Sequence, residues 1–241
     1  MIALLLNSGL GSRMGDETRE HPKCMTVIRD GETIISWQVK LLEQAGVTDA
    51  VVTTGHLADM LQAYLRSLDT PIRFHFVHNP RYRETNYIYS MYLARELLVG
   101  QDVLSLHGDL VMHPQVMAML TASPVSAVTV DTTLPLPEKD FKGRLHDGRI
   151  QEIGVNVFGH DCVELQPAYL WKQQDFSGWM QEINRFIMEG NDRCYAENAF
   201  NAVWQDIPLY PLDVKGLLCA EIDNQQDKEY VSRRFTKEID A

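Results

Sequence analysis

The sequence predicts an α/β fold built on a Rossmann-like, doubly wound sheet that is mixed but mostly parallel. Strand-like and helix-like segments alternate through the first half of the chain, and an apolar run at its start leads straight into glycine. The length of 241 residues is enough for one full hydrophobic core. Ligands of such sheets bind at the carboxyl ends of the strands. The glycine-rich segment after the first strand therefore marks the expected site.

The alternation is clearest in the first half of the chain. The apolar start "MIALLL" reads as a buried strand. Apolar residues then follow a helical period over residues 33–46 and 57–68, and Gly46 is typical of a helix C-terminus. The other elements predicted in this half are strands over 50–55, 72–78, 102–109 and 126–131 and a short helix that begins at Pro114.

The second half of the chain is less regular. Ser177 and Asn224 are each expected to cap a helix, because serine and asparagine side chains accept hydrogen bonds from a first helical turn. With no repeat and no linker composition, we expect a single domain over 1–241, divided into a first half (1–131) and a second half (132–241). The other elements predicted after residue 131 are a proline-punctuated loop over 134–144 and strands over 148–156, 161–171 and 207–214.

Composition excludes several classes of protein. The net charge of −11 argues against a nucleic-acid partner, since binding a phosphate backbone needs a basic face. Four cysteines stand far apart with no CxxC spacing, which favours reduced thiols and argues against structural zinc. The apolar start is too short for a signal segment or a membrane span. We therefore expect a cytoplasmic protein with no membrane partner.

The loop after the first strand has the composition of a phosphate-binding turn. Gly9 and Gly11 allow backbone N–H groups to approach a ligand closely, and Arg13 and Lys23 add two cations. A Walker loop is excluded because no GK[ST] follows, and the dinucleotide fingerprint lacks its third glycine. A plain glycine-rich turn with surface charges remains an alternative for so short a motif.

The segment from Leu6 to Lys23 resembles the signature of the nucleotidyltransferases that activate small phosphates with a nucleoside triphosphate. That signature reads L-A-A-G-x-G-x-R-[ML], followed by T, three residues and P-K. Asn7 and Ser8 replace its two alanines and add hydrogen-bonding groups. The positions in register are Leu6, Gly9, Gly11, Arg13, Met14, Thr18, Pro22 and Lys23.

Two further stretches extend the resemblance. "NPRYRETNYIYSMYLA" (79–94) is similar to the N-P-x-Y-x-x-[TS]-N-N-x-x-S segment of the phosphocholine and phosphonate cytidylyltransferase branch. "HGDLV" (107–111) and "AEID" (220–223) resemble the two acidic motifs of the family. The resemblance spans most of residues 2–225 and is loose over 132–213. It implies a nucleotide-binding first half and an acceptor-binding second half.

The resemblance implies a catalytic group of Lys23, Arg13 and Asp109. An acceptor oxygen attacks the α-phosphorus of CTP, so two anions must be brought together in line. Lys23 would bridge the α-phosphate and the acceptor oxygen, and Arg13 would grip the departing phosphates. The implied nucleotide-binding residues are Leu6, Asn7, Ser8, Gly9, Gly11, Ser12, Arg13, Lys23, Asn86, Ser90 and Asp109.

A magnesium site is expected at the two acidic motifs. Mg²⁺ prefers carboxylate, phosphate and water oxygens, and Asp109 with Asp223 supplies the expected pair. Glu221 is a third or outer ligand in this interpretation. Each aspartate could alternatively cap a turn or a helix, which is a common role for aspartate at strand ends.

The base and acceptor positions are less determined. Asn86 and Ser90 stand where the family reads the pyrimidine, although Asn86 could equally cap a helix over residues 88–98. Lys142, Tyr195 and Glu197 are candidate acceptor-binding residues. The segments 136–144 and 195–200 together offer Lys139, Lys142, Arg144, Glu197 and Asn198, a mixture that suits a zwitterion better than choline alone.

We expect a Mg²⁺-dependent cytidylyltransferase that transfers CMP from CTP to a small phosphate or phosphonate. Candidate acceptors are phosphocholine, aminoethylphosphonate and an amino-acid phosphate such as L-glutamine phosphate, which would suit capsule or cell-surface polysaccharide synthesis. The resemblance also allows a homodimer. The alternatives are a sugar-1-phosphate uridylyl- or thymidylyltransferase and a catalytically silent nucleotide-binding module; a dehydrogenase lacks its glycine fingerprint.

Overall fold

A mixed sheet with helices on both faces forms the centre of this computed structural model, which describes residues 1–11 and 17–239. The strands are β1 (Ile2–Asn7), β2 (Val27–Arg29), β3 (Glu32–Thr33), β4 (Asp49–Thr54), β5 (Arg73–His78), β6 (Val103–His107), β7 (Leu110–Met112), β8 (Ala127–Asp131), β9 (Lys142–His146), β10 (Arg149–Gly154), β11 (Cys162–Trp171), β12 (Tyr210–Asp213) and β13 (Cys219–Glu221). The helices are α1 (Glu17–Glu20), α2 (Ile34–Gln44), α3 (Ala58–Ser67), α4 (Tyr87–Leu98), α5 (Pro114–Thr121), α6 (Gln173–Met188), α7 (Ala196–Val203) and α8 (Gln225–Glu238).

The central strands of the sheet run parallel. β1 pairs with β4 on one side and β6 on the other, and β5 extends the parallel part beyond β4. The apolar sequence of β1 follows from this position, because a strand covered on both faces has no solvent-facing side for polar residues. Its first polar residue, Asn7, stands at the carboxyl end.

Antiparallel pairing completes the sheet. The strand order is β10-β9-β11-β6-β1-β4-β5, and β8 pairs with β11 and with β12. β11 runs antiparallel to β6, β8 and β9. The predicted α/β class, with a mixed sheet and a parallel centre, is confirmed.

Two hydrophobic cores lie on opposite faces of the sheet. One contains apolar residues of α2, α3, α5 and α8, and the other those of α4, α6 and α7. This division is what a doubly wound sheet requires. In the described ranges, no helix combines the length and the apolar character needed to cross a membrane.

A small two-stranded sheet brings the acidic motif at 220–223 next to the acidic motif at 107–111. β13 pairs antiparallel with β7, so that Glu221 stands opposite Leu110. The backbone N–H of Ile222 donates to the carbonyl of Asp109 at 2.9 Å. Residues from the middle of the chain and from near its C-terminus therefore meet beyond the carboxyl end of β6.

Most element boundaries agree with the sequence, and the start of α6 does not. Asn224 caps α8, as predicted, through the N–H groups of Gln226 and Asp227. Ser177, predicted as a cap, lies inside α6, where its hydroxyl donates to the carbonyl of Gln173. The expected cap was wrong because a distant carboxylate, that of Asp102, accepts the hydrogen bond from the N–H of Gln173 at 2.9 Å.

Two segments are more regular than the sequence indicated. β9 begins at Lys142, within the segment predicted as a loop over 134–144. It pairs with β10 and β11, so that tertiary pairing overrides the local turn composition. The short helix α7 was not predicted, and it packs its buried residues into the core beneath α6.

Candidate functional site

The glycine loop after β1 borders a cavity of about 130 Å³. Asn7, Gly9, Gly11, Lys23 and Asp109 are among its lining residues. Gly11 adopts a φ of +64°, the left-handed region that glycine reaches without strain. A Cβ atom at Gly9 would meet no atom of residues 1–11 or 17–239 within 4 Å, so these residues leave the backbone open to a ligand.

Asn7 packs tightly against the opposite loop. A Cβ atom at Gly108 would lie 2.0 Å from Asn7 Oδ1, so only glycine fits at position 108. Both Asn7 side-chain polar atoms are buried and make no hydrogen bond within residues 1–11 and 17–239. Unmet polar groups at a cavity wall are suited to binding a polar ligand.

Lys23 lies between the two predicted metal carboxylates. It opens a short 3-10 turn directly after Pro22. Its ammonium group is 2.5 Å from Asp109 Oδ2 and also contacts Asp223 Oδ1. The three side chains are largely buried, so a cation here is held by two carboxylates and shielded from water.

This ion-pair cluster changes the ionisation of its members. Burial alone would raise the pKa of Asp109, but the adjacent Lys23 ammonium lowers it to about 2. Burial would lower the pKa of Lys23, yet Asp109 and Asp223 hold it above its ordinary value. Lys23 and Asp109 are therefore both charged at neutral pH.

A second titratable group lies beside this cluster. His107, Asp109 and Glu221 bring one ligand atom each within 4.8 Å of the others. Burial and the charge of Asp109 raise the pKa of Glu221 to about 7. Burial opposes protonation of His107, but the contact of its Nδ1 with Glu221 Oε1 at 3.3 Å raises its pKa.

The carboxylates fit a divalent cation. Asp109 Oδ1 is buried and accepts no hydrogen bond from the described part of the chain. Its other oxygen, Oδ2, and Asp223 Oδ1 both accept hydrogen bonds from the Lys23 ammonium group. Oxygen donors of this kind are the ligands that Mg²⁺ prefers. Asp109 and Asp223 thus form a pair suited to a metal, and Glu221 lies next to them.

A second cavity, of about 170 Å³, adjoins the first. Both are lined by Leu6, Gly9 and Asp109, and the second extends toward the start of α4. Asn86 lines it and also caps α4, accepting from the N–H of Tyr87 at 2.7 Å. The two alternatives for Asn86 are therefore compatible.

The predicted acceptor residues lie beyond this second cavity. Glu197 is 2% exposed and accepts hydrogen bonds from the hydroxyls of Tyr87 and Tyr169. Tyr195 is 36% exposed, and its ring lies 6.0 Å from that of Tyr87. Tyr87 itself lines the cavity. Glu197 and Tyr195 are thus connected to the cavity through one tyrosine.

Lys142 occupies a different environment. It is fully buried, and its ammonium group donates to the carbonyls of Pro137 and Asp140 at 2.7 and 2.9 Å. The same group lies 4.3 Å from the centre of the Phe158 ring. Burial lowers the pKa of Lys142. These contacts tie the lysine to the loop that precedes β9.

The structure gathers most of the predicted site residues around the two adjoining cavities. Ser12 and Arg13 lie outside the described residues. Ser90 is 1% exposed and stands behind the cavity wall rather than on it. Their individual roles stay predictions.

Sequence reasoning missed some lining residues. His107, Tyr82, Thr85 and Tyr87 line the second cavity; His107 and Thr85 were not assigned to the site, and the two tyrosines were considered only as aromatic residues available to an ammonium group. The available signal was position, because His107 stands immediately before the Gly108-Asp109 motif and the other three belong to the segment 79–94.

The sequence is similar to those of several characterised proteins. Residues 3–137 match the MobA-like NTP transferase domain. The chain is 29% identical over 187 residues to CTP:phosphoglutamine cytidylyltransferase of Campylobacter jejuni subsp. jejuni serotype O:2, covering 71% of this chain and 72% of that protein. It is 36% identical over 249 residues to CMP-5'-(3-aminopropyl)phosphonate synthase of Streptomyces rubellomurinus, covering 97% of this chain but 38% of that longer protein.

A solved structure shares the fold. The chain superimposes on CTP:phosphocholine cytidylyltransferase from Streptococcus pneumoniae with a TM-score of 0.78 and 19% identity, covering 96% of this chain and 98% of that one. The likeness of fold extends to the strands after residue 137, which lie outside the matched domain. Because the domain match covers more than half of the sequence, the chain belongs to the MobA-like NTP transferase family and is a nucleotidyltransferase.

Proposed function

We propose that this chain transfers CMP from CTP to a small phosphate or phosphonate that carries a cationic nitrogen, and releases pyrophosphate. The observation that carries the proposal is the position of Lys23, held between Asp109 and Asp223 at the cavity of the glycine loop. The named relatives act on CTP with phosphoglutamine or form a CMP-linked phosphonate, and they support cytidylyl transfer.

The chemistry needs charge neutralisation and alignment rather than a base. An acceptor oxygen, already an anion, forms a bond to the α-phosphorus, and the bond from that phosphorus to the bridging oxygen breaks, releasing pyrophosphate. Lys23 balances negative charge at the α-phosphate and acceptor oxygen. Backbone N–H groups of the glycine loop and Arg13 are proposed to hold the remaining phosphates.

A divalent ion is part of this proposal. Asp109 and Asp223 would hold Mg²⁺, with Glu221 as an additional or outer ligand. The ion supplies positive charge that offsets repulsion between the triphosphate and the acceptor. The Lys23 ammonium group contacts the same two carboxylates, and it offsets negative charge without any proton transfer.

The acceptor end is proposed to recognise an ammonium group. Glu197 presents a buried carboxylate, and no cationic side chain pairs with it in the described ranges. The Phe141 ring lies 5.0 Å from that of Tyr195, which itself neighbours Tyr87. Aromatic faces near a carboxylate attract alkylammonium groups and zwitterions. This combination favours amine-bearing acceptors over hexose phosphates.

The test measures pyrophosphate release with purified protein and Mg²⁺. CTP, UTP and dTTP are each paired with phosphocholine, 2-aminoethylphosphonate, L-glutamine phosphate and glucose 1-phosphate. We expect CTP with a nitrogen-bearing acceptor to give the highest kcat/KM. A preference for glucose 1-phosphate with UTP or dTTP would replace this proposal by a sugar-nucleotide synthesis, and no turnover with any pair would favour a silent module.

A Glu197 substitution separates acceptor recognition from nucleotide recognition. Glu197→Gln keeps the hydrogen-bond acceptor for one tyrosine hydroxyl and removes the negative charge. We expect the KM for the best amine-bearing acceptor to rise about tenfold, with the KM for CTP unchanged. Glu189→Gln, at the exposed end of α6, is the control.

A further inference from the structure

A buried row of polar side chains stands behind the second cavity. Ser8 Oγ lies 2.7 Å from Ser90 Oγ, and Asn79 Nδ2 lies 3.0 Å from the same Ser90 oxygen and 3.1 Å from Thr85 Oγ1. Ser8, Asn79 and Ser90 are 5%, 1% and 1% exposed. Ser8 and Thr85 line the cavity at the two ends of the row.

The orientation of the Asn79 amide is determined by its backbone neighbour. The backbone N–H of Arg81 donates to the Asn79 side chain at 2.9 Å. Because a backbone N–H can only donate, the accepting atom is the amide oxygen Oδ1. The amide nitrogen therefore faces the two hydroxyls and donates one proton to each. The Thr85 hydroxyl donates its own hydrogen bond to the carbonyl of Arg81 at 3.0 Å.

The direction of donation continues to Ser8. Ser90 Oγ accepts from Asn79, and within residues 1–11 and 17–239 its remaining partner is Ser8 Oγ. We assign the Ser90 proton to Ser8, because Ser90 is buried and this is the acceptor that the described residues offer it. The Ser8 hydroxyl, already accepting, keeps its own proton with no acceptor among the described residues. A buried donor without an acceptor, on a cavity wall, is suited to a ligand acceptor.

We propose that Ser8 is a specificity-determining residue that donates a hydrogen bond to N3 of cytosine, with Ser90 and Asn79 as positioning residues. N3 of cytosine is an acceptor, whereas N3 of uracil carries a proton and cannot accept from Ser8, so the Ser8 proton is left without an acceptor. The proposal rests on the proposed use of CTP and names the contact that discriminates against UTP. A binding site whose polar groups hydrogen-bond to one base discriminates against an analogue that leaves a buried polar group of the protein without a partner.

The experiment combines a substitution with a nucleotide analogue. The wild-type enzyme and Ser8→Ala are assayed for kcat/KM with CTP, UTP and 3-deaza-CTP, in which a C–H group replaces N3. We expect the wild type to lose about tenfold from CTP to 3-deaza-CTP. Ser8→Ala should lose about tenfold with CTP and show little further loss with the analogue, while its rate with UTP does not fall.

Two further variants test the positioning role. Ser90→Ala removes the donor to Ser8 and is expected to lower the CTP-to-UTP preference by about threefold without changing the KM for the acceptor. Ser105→Ala, at a buried position of β6 that lines neither cavity, is the matched control and should leave the preference unchanged.

The outcomes separate this inference from the proposed function. A wild-type enzyme that does not prefer CTP refutes the proposed function and, with it, the cytosine contact. The Ser8 assignment alone is overturned if the wild type prefers CTP but Ser8→Ala keeps the full preference. The same conclusion follows if Ser8→Ala loses activity with CTP and UTP equally.

Discussion

The ammonium group of Lys23 contacts the carboxylate of Asp223, although 200 residues separate them in the sequence. The same ammonium contacts Asp109, so one cation joins three segments of the chain. The cluster lies at the carboxyl end of the parallel strands, where the glycine loop also turns. Its geometry leads to the first two predictions.

Replacing Lys23 by methionine is expected to lower kcat/KM by about 100- to 1000-fold, because charge at the α-phosphate is no longer offset. The variant also leaves Asp109 and Asp223 close together without their shared cation. Mg²⁺ should therefore raise its melting temperature more than that of the wild type, measured without nucleotide. Lys237→Met on α8 is the control. Near-normal activity of Lys23→Met would contradict the assigned role.

Replacing either Asp109 or Asp223 by asparagine is expected to weaken Mn²⁺ binding at least tenfold, because a carboxylate ligand becomes a neutral amide. Electron paramagnetic resonance of free Mn²⁺ measures this directly and does not depend on turnover. Asp206→Asn, at an exposed position, should bind like the wild type. If the Asp109 variant retained wild-type affinity, the metal assignment would be wrong.

Glu164 should make the protein less stable as the pH rises. Burial and the charges of Asp131 and Asp140 raise the pKa of Glu164 from 4.5 to about 7. Between these values the folded chain holds a proton that the unfolded chain has lost, so the free energy of unfolding falls as the pH rises from 4.5 through 7.

Glu164→Gln cannot ionise and should remove this loss. At pH 8 the variant is expected to be more stable than the wild type by about 1 to 2 kcal/mol, allowing for solvent screening, and about equal at pH 4.5. Urea unfolding at several pH values measures the difference. Glu138→Gln, on the exposed part of the preceding loop, is the matched control. A pH-independent effect of Glu164→Gln would argue against the raised pKa.

The start of α6 should depend on Asp102. Its carboxylate accepts from the N–H of Gln173 and from Lys172 Nζ at 3.0 Å. Asp102→Ala is expected to lower the free energy of unfolding by about 1 kcal/mol, whereas Asp102→Asn keeps an acceptor and should lose less. Ser177→Ala should change stability by less than about 0.5 kcal/mol. A larger loss from the Ser177 variant than from Asp102→Ala would restore the cap expected from the sequence.

Local patterns predicted the parallel half of the sheet because its strands and helices carry their own signals. The capping side chain of Asn224 and the stop at Gly46 act on neighbouring backbone, so sequence spacing was sufficient. The cap of α6 comes from Asp102, 71 positions earlier, and no local pattern can indicate it. The strand β9 likewise depends on pairing with β11.

The same distinction applies to the candidate site. A motif resemblance pointed to Lys23, Asp109 and Asp223, and the structure brings these three side chains into contact. The Ser8-Ser90-Asn79 row could not be predicted, because it depends on side chains from three elements meeting behind one cavity. The resemblance placed Ser8 and Ser90 among the nucleotide-binding residues, but it did not indicate that their side chains meet.

The pairing of β13 with β7 makes the acidic centre dependent on a late part of the chain. During synthesis, the glycine loop and Asp109 leave the ribosome long before Glu221 and Asp223, which reach them only when β13 adds to β7. Until that docking occurs, Lys23 has one of its two carboxylate partners. A nascent chain can thus have nearly its whole sheet and still lack the proposed metal pair, and any lesion that loosens β13 is expected to lower activity while leaving most of the secondary structure in place.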